Sequence, residues 1–169
     1  VFFIAAFALN LQANFRSNEK GVLAPSVKEQ LDKAKKDGKA VFLVITGTGA
    51  TGVENATKTA NDAKAKYAKS EVITLNKNEA ANSELVKKFG IASVAVPFFL
   101  VISPKGVAVA GFGVVQATVD LLVKAIPSPK QDDVLLAISE KKSVFIIISK
   151  QGLKDKASIT ANCKSASSK

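Results

Sequence analysis

Histidine, methionine and tryptophan are absent from this 169-residue chain, and cysteine occurs once, at Cys163. Without histidine there can be no Ser/His/Asp triad, no imidazole base and no zinc site with a histidine ligand. A single cysteine cannot form an intrachain disulfide, a CxxC redox pair or a cysteine metal cluster, and Cys163 has no activating neighbour in the sequence. These reaction classes are excluded, and we expect neither a metal nor a cofactor.

Arginine is almost missing as well, although the chain is basic. The net charge is +10, and Arg16 is the one arginine among 24 basic residues. Proteins that read base sequence rely on arginine for bidentate contacts. Lysines spread over every helix are typical of solvated faces, so we expect no sequence-specific nucleic-acid partner. A lysine-rich surface that binds anionic partners is the weaker alternative.

Long apolar runs are scarce, and the longest opens the chain. Residues 1–9 are continuously apolar, but a bilayer-spanning helix needs about 20 apolar residues. The run favours either the apolar part of an export signal or an apolar arm, on which Phe3 and Phe7 share one helical stripe. We therefore expect residues 1–22 to be an N-terminal arm or a signal or anchor remnant. If so, we expect the protein to be extracytoplasmic, either periplasmic or secreted. Membrane association through this segment stays open.

The length allows one full core but not two ordinary domains, and the middle of the chain predicts how that core is built. A capping box at Ser26 begins a helix that Gly38 ends. Ser103-Pro-Lys-Gly106 suits a type I turn between two antiparallel strands. The remaining expected elements are a buried strand at 41–45, a helix at 53–67, a strand at 71–75 parallel to the first, a helix at 83–90, hairpin strands at 97–102 and 107–111, and a helix at 116–126.

This order of elements resembles the thioredoxin-like fold. The motifs that carry the resemblance are Lys87-Lys-Phe-Gly-Ile91, Val96-Pro-Phe-Phe-Leu-Val101 and Pro104-Lys-Gly106. The resemblance implies an α/β domain over residues 23–127, with a central mixed sheet, a βαβ unit, an antiparallel hairpin and flanking helices. It also implies that Pro97 is a cis-proline facing the loop after the first strand, although the loop before that proline is longer than usual in the family.

In thioredoxin-like enzymes the catalytic cysteines lie at the start of the helix after the first strand, where the helix N-terminus lowers a thiol pKa. The matching stretch here is 46–53, and Ala50 and Val53 stand about where the cysteines would be. Neither side chain can react. The resemblance therefore implies a module without the CxxC motif, which serves as a structural or protein-interaction domain and not as an enzyme.

The same loop offers a rival interpretation. Gly47, Gly49 and Gly52 form a GxGxxG sequence between a strand and a helix, as in Rossmann-like NAD(P)-binding oxidoreductases. Against this alternative, the second strand ends in Asn76-Lys-Asn78 and supplies no carboxylate for the ribose hydroxyls. The expected antiparallel hairpin also breaks the parallel pattern of that fold.

Residues 128–169 predict a partial second thioredoxin-like unit. A helix from Ser128, a strand at Val144–Ile148 and a polar helix through Cys163 repeat the start of the first unit, but without its glycines. A strand this apolar must pair with the sheet of this chain, with another chain or with further residues of the protein. We expect Phe3, Phe7, Phe145 and Ile147 to contact protein partners or like subunits in a larger assembly.

Overall fold

The computed structural model describes residues 24–147 and 154–167. The elements in these ranges are α1 (Val27–Lys36), β1 (Ala40–Thr46), α2 (Val53–Lys66), β2 (Ser70–Asn76), a 3₁₀ turn (Ala80–Asn82), α3 (Ser83–Phe89), β3 (Phe98–Ile102), β4 (Ala108–Gly113), α4 (Val119–Lys124), α5 (Pro129–Ser139) and α6 (Lys156–Ser167).

The four strands of the described residues form one mixed sheet in the order β2-β1-β3-β4. Strand β1 is parallel to β2, with Thr46 opposite Asn76, and antiparallel to β3, with Ile45 opposite Phe98. Strands β3 and β4 form the expected antiparallel hairpin. All seven residues of β1 are buried, because this central strand is covered by helices on both faces of the sheet.

Alternate side chains of β1 enter two separate apolar cores. On one face, Leu43 packs with residues of α1, β2 and α3. On the other face, Phe42 packs against the alanines of α2 and against Leu122 of α4. Alternation along a strand explains this division, since successive side chains point to opposite faces. The small alanines at positions 56, 60 and 63, all fully buried, are compatible with close packing of α2 on the sheet.

The helix ends follow local capping chemistry. Ser26 and Glu29 form the expected capping box of α1, and hydrogen bonds from the Ser26 backbone and hydroxyl lower the pKa of Glu29. The helix predicted at 116–126 is shorter than expected. The amides of Gln116 and Ala117 both donate to the Gly113 carbonyl in a turn, and the Thr118 hydroxyl caps Leu121, so α4 begins only at residue 119.

The C-terminal region contains the two expected helices but not the expected strand. Residues 144–147 have no regular secondary structure, and Ile148 lies outside the described residues. Phe145 and Ile146 are 54% and 67% exposed. Within the described ranges, this segment pairs with neither edge of the sheet, which leaves its backbone without the ladder that would make it a strand. The second thioredoxin-like unit therefore stays a prediction.

These features together make a thioredoxin-like α/β fold, as the resemblance implied. The βαβ unit, the hairpin and helices on both faces are all present in the order predicted from the sequence. The division into 1–22, 23–127 and 128–169 stays a prediction. Phe3 and Phe7, with the rest of the N-terminal segment, lie outside the described residues.

Candidate functional site

Four loops meet at one end of the sheet, which we call the loop edge. They are residues 77–79 after β2, 47–52 after β1, 92–97 before β3 and 114–116 after β4. The strand register places them side by side, because Thr46 is opposite Asn76, Ile45 is opposite Phe98, and Phe98 is opposite Gly113. The stretch that matches the redox loop of thioredoxin-like enzymes is therefore at the middle of this edge.

Three of these loops approach one another closely at Gly47. A Cβ at this position would lie 2.7 Å from Asn78 Oδ1 and 3.3 Å from Val96 Cγ2. The same Asn78 oxygen accepts a hydrogen bond from the Thr48 amide at 3.0 Å. Glycine is needed here for space, since any side chain would displace the asparagine or the valine.

Lys77 fixes the loop before β3. Its ammonium nitrogen donates to the carbonyl oxygens of Ala92 at 3.0 Å and Val94 at 2.7 Å. The half-buried Val94 and Val96 pack against the core that contains Leu43. The extra length of this loop is thus held by a charge-assisted pair of hydrogen bonds on one side and by apolar packing on the other.

The Val96–Pro97 peptide bond is cis, and Pro97 is buried. This is the isomer that the resemblance implied, and the contact between Val96 and the Gly47 position places the proline loop against the loop after β1. Beyond Phe98, its strand partner Gly113 leads into Val114 and Val115. Val115 is 95% exposed, so an apolar side chain projects into solvent beside the proline loop.

The loop edge contains no nucleophile of the kind that thioredoxin-like enzymes use. Ala50 is half-buried in the turn that its amide closes onto the Gly47 carbonyl, and Val53 is the first residue of α2. Cys163 is half-buried on α6, a separate element. No group of three or more metal-binding side chains occurs within residues 24–147 and 154–167.

The glycines of the GxGxxG sequence have different roles. Gly49 and Gly52 adopt positive φ values of 73° and 76° with open space around their Cα atoms, whereas Gly47 is required by close packing. The neighbour of β1 on one side is the antiparallel strand β3. A Rossmann-like site needs parallel strands on both sides of the loop's strand, so the sheet does not favour the dinucleotide alternative.

Two carboxylates with lowered pKa values, Glu71 and Asp120, lie in ion pairs outside the loop edge. Glu71, in β2, accepts hydrogen bonds from Lys39 at 2.6 Å and Lys64 at 2.7 Å, and these bonds lower its pKa. In α4, the hydrogen bond from Lys66 lowers the pKa of Asp120. These pairs connect the elements that form the core, so we assign them a structural role.

Sequence reasoning placed Ala50, Val53 and Pro97 at one site, and the structure brings their loops together. It missed Lys77, Asn78, Val114 and Val115. The antiparallel pairing of β3 with β4 could have indicated Val114 and Val115, since the residues that follow Gly113 must lie beside those that precede Phe98. Phe145 is 54% exposed and Ile147 is 37% exposed, and their assembly contacts stay a prediction.

The solved structures that are similar to this chain include a thioredoxin and an oxidoreductase. Thioredoxin NaTrxh from Nicotiana alata is 20% identical, with a TM-score of 0.43, over 57% of this chain and 78% of that protein. DsbH oxidoreductase is 18% identical, with a TM-score of 0.44, over 77% of this chain and 95% of that protein. Sequence identities and TM-scores this low say nothing about activity. The fold assignment rests on the topology described above.

The scan against protein-family models gives no match, and a search of curated proteins finds no significant relative. In the part of the chain that the structure describes, none of the helices combines the length and the hydropathy of a membrane-spanning segment.

Proposed function

We propose that this protein is a non-catalytic thioredoxin-like interaction module and that its loop edge binds partner proteins. The observation that carries this proposal has two parts. By the resemblance, the unreactive Ala50 and Val53 stand at the positions of the catalytic cysteines, and the loops around them are nevertheless held in a defined arrangement. Lys77 and Asn78 make that arrangement through three hydrogen bonds. A surface with fixed shape and no reactive group is suited to binding.

The chemistry of the loop edge supports the same conclusion. Three of the four loops, at residues 47–52, 92–96 and 114–116, carry no charged side chain, and the fourth carries Lys77 and Glu79. The chain as a whole has a net charge of +10. The exposed positions of these three loops are small or neutral, with Thr48, Ser93 and Ala95 among them, so a partner backbone can approach closely there. Val115 supplies an apolar contact of the type found at the centre of protein interfaces.

We further propose that the chain works as a subunit of an extracytoplasmic assembly. The apolar residues 1–9 and the exposed Phe145 and Ile147 support this proposal, because apolar side chains that stay in water weaken the folded state. Light scattering on the intact chain and on a variant lacking residues 1–12 tests it. We expect the intact chain to be oligomeric and the deletion to lower its mass. A monomer at micromolar concentration would disprove the assembly proposal.

Site-specific photo-cross-linking tests the loop edge directly. A photoreactive amino acid is placed at Ser93 or at Val115, and at the exposed Lys36 as the matched control. In an extract of the source cells, we expect the two loop-edge positions to capture the same partner and Lys36 not to capture it. Val115→Glu should prevent capture from Ser93. Equal capture from Lys36, or capture that survives Val115→Glu, would contradict a binding role for this edge.

A further inference from the structure

A second surface lies away from the loop edge, between β4, the turn from α4 to α5, and α5. It is a groove of about 530 Å³, within the roughly 300–1,000 Å³ of typical ligand sites. Its apolar lining includes Val109, Ile126, Leu135 and Ile146. We call it the α5 groove.

The α5 wall of this groove is fixed to the rest of the fold. Asp132, which is only 2% exposed, accepts a hydrogen bond from the Lys105 amide at 3.1 Å. The neighbouring Asp133 forms an ion pair with the Lys105 side chain, which raises the pKa of that lysine. Because Lys105 is in the β3–β4 turn, both contacts hold the first turns of α5 against the hairpin.

The apolar lining continues onto exposed surface. Ile146 lines the groove yet is 67% exposed, and its neighbours Phe145 and Ile147 are 54% and 37% exposed. Large apolar side chains exposed next to one another, and rimmed by polar residues, mark an interaction surface more often than scattered ones do.

The charge of the rim identifies the kind of partner. Lys124 and Lys130 both line the groove, and none of the described lining residues carries a carboxylate. Within the described ranges, neither lysine takes part in a salt bridge. A partner that places carboxylates near these ammonium groups would gain attraction that a neutral or basic partner lacks.

We propose that the α5 groove binds an apolar segment of a partner protein that carries carboxylates at its flanks. A second copy of this chain fits the groove poorly, because its own apolar segment 144–148 is flanked by Lys141, Lys142 and Lys150. The proposal is independent of the loop edge, since none of its residues belongs to the four loops there.

A matched pair of labelled peptides tests the proposal on the full chain. One peptide has a leucine and phenylalanine centre with glutamates at both ends, and the other has lysines in place of the glutamates. By fluorescence anisotropy, we expect the glutamate peptide to bind at least about tenfold more tightly at low salt, and rising salt to reduce that ratio. Lys124→Glu combined with Lys130→Glu should reverse the preference. The exposed pair Lys28→Glu and Lys36→Glu is the control and should leave it unchanged.

The remaining outcomes contradict the proposal. No binding of either peptide, equal binding of both, or a preference unaffected by the groove charge reversal would overturn it. Concentration-dependent dimers that Lys124→Glu with Lys130→Glu strengthens, and that block the peptide, would assign the groove to a second copy. Stronger groove-dependent binding to phosphatidylglycerol vesicles than to the glutamate peptide would assign it to an anionic lipid surface. The photo-cross-links from Ser93 should be unchanged by the groove variants, which separates this test from that of the loop edge.

Discussion

Replacing Lys77 by methionine tests whether one side chain shapes the loop edge. Methionine keeps the length and the apolar stem of lysine but cannot donate to the carbonyls of Ala92 and Val94, which the ammonium reaches at 3.0 and 2.7 Å. Hydrogen bonds to a charged group contribute about 1.5–3 kcal/mol each, and less where solvent competes. Since Lys77 is half-buried, we expect a loss of about 1–3 kcal/mol in the free energy of unfolding. This corresponds to a fall in Tm of about 3–9 °C for a protein of this size.

Two measurements check this prediction. Thermal unfolding followed by circular dichroism gives the change in Tm, and hydrogen exchange should show faster exchange at residues 92–96 than elsewhere. The control is Lys69→Met, because the Lys69 side chain is exposed and makes no hydrogen bond or ion pair with the described residues, whereas its backbone carbonyl, which accepts from the Ala40 amide, is kept in the variant. An unchanged Tm for Lys77→Met, or a loss equal to that of Lys69→Met, would refute the role assigned to Lys77.

Three further changes test the rest of the structure. Gly47→Ala should lower the free energy of unfolding by about 1–3 kcal/mol, because the added Cβ would lie 2.7 Å from the Asn78 oxygen. The control is Gly113→Ala, where a Cβ would meet open space, and it should change that free energy by no more than about 0.5 kcal/mol in the same denaturant titration. Leu122→Ala should cost about 2–5 kcal/mol in the same assay, since Leu122 is fully buried. Glu71 has a lowered pKa in the folded protein, so its contribution is present above the ordinary value of 4.5 and is lost as the pH falls through the folded pKa. Glu71→Gln should therefore lower stability at pH 7 and reduce the loss of stability on acidification; an unchanged acid profile would contradict the ion-pair assignment.

Local signals predicted most of the fold. The continuous apolar run of β1 required cover on both faces, and all of its residues are buried. Ser26 and Glu29 predicted the start of α1, and Pro104 with Gly106 predicted the hairpin turn. In that turn the Gly106 amide donates a hydrogen bond to the Ser103 carbonyl at 2.8 Å. Each of these features depends on residues close together in the sequence, so they could be read without the structure.

Features that depend on distant residues were not predicted. Lys77 bonds to carbonyls 15 and 17 residues away, and nothing in its own neighbourhood distinguishes it from the other lysines. The late start of α4 results from a turn closed on Gly113, which competes with the first helical turn. The strand expected at 144–148 had the right composition, but a strand also needs a free edge in the right place, and composition does not supply one.

An insulin-reduction assay with dithiothreitol tests the central claim most directly. The central claim is a thioredoxin-like fold whose redox loop has no dithiol chemistry, because Ala50 and Val53 stand where the cysteines would be. The assay compares the unmodified protein, the Cys163→Ser variant, and a variant with Ala50→Cys and Val53→Cys in the Cys163→Ser background. We predict that the first two do not accelerate insulin precipitation above the dithiothreitol background and that the third does. Acceleration by the unmodified protein that disappears in Cys163→Ser would contradict the account.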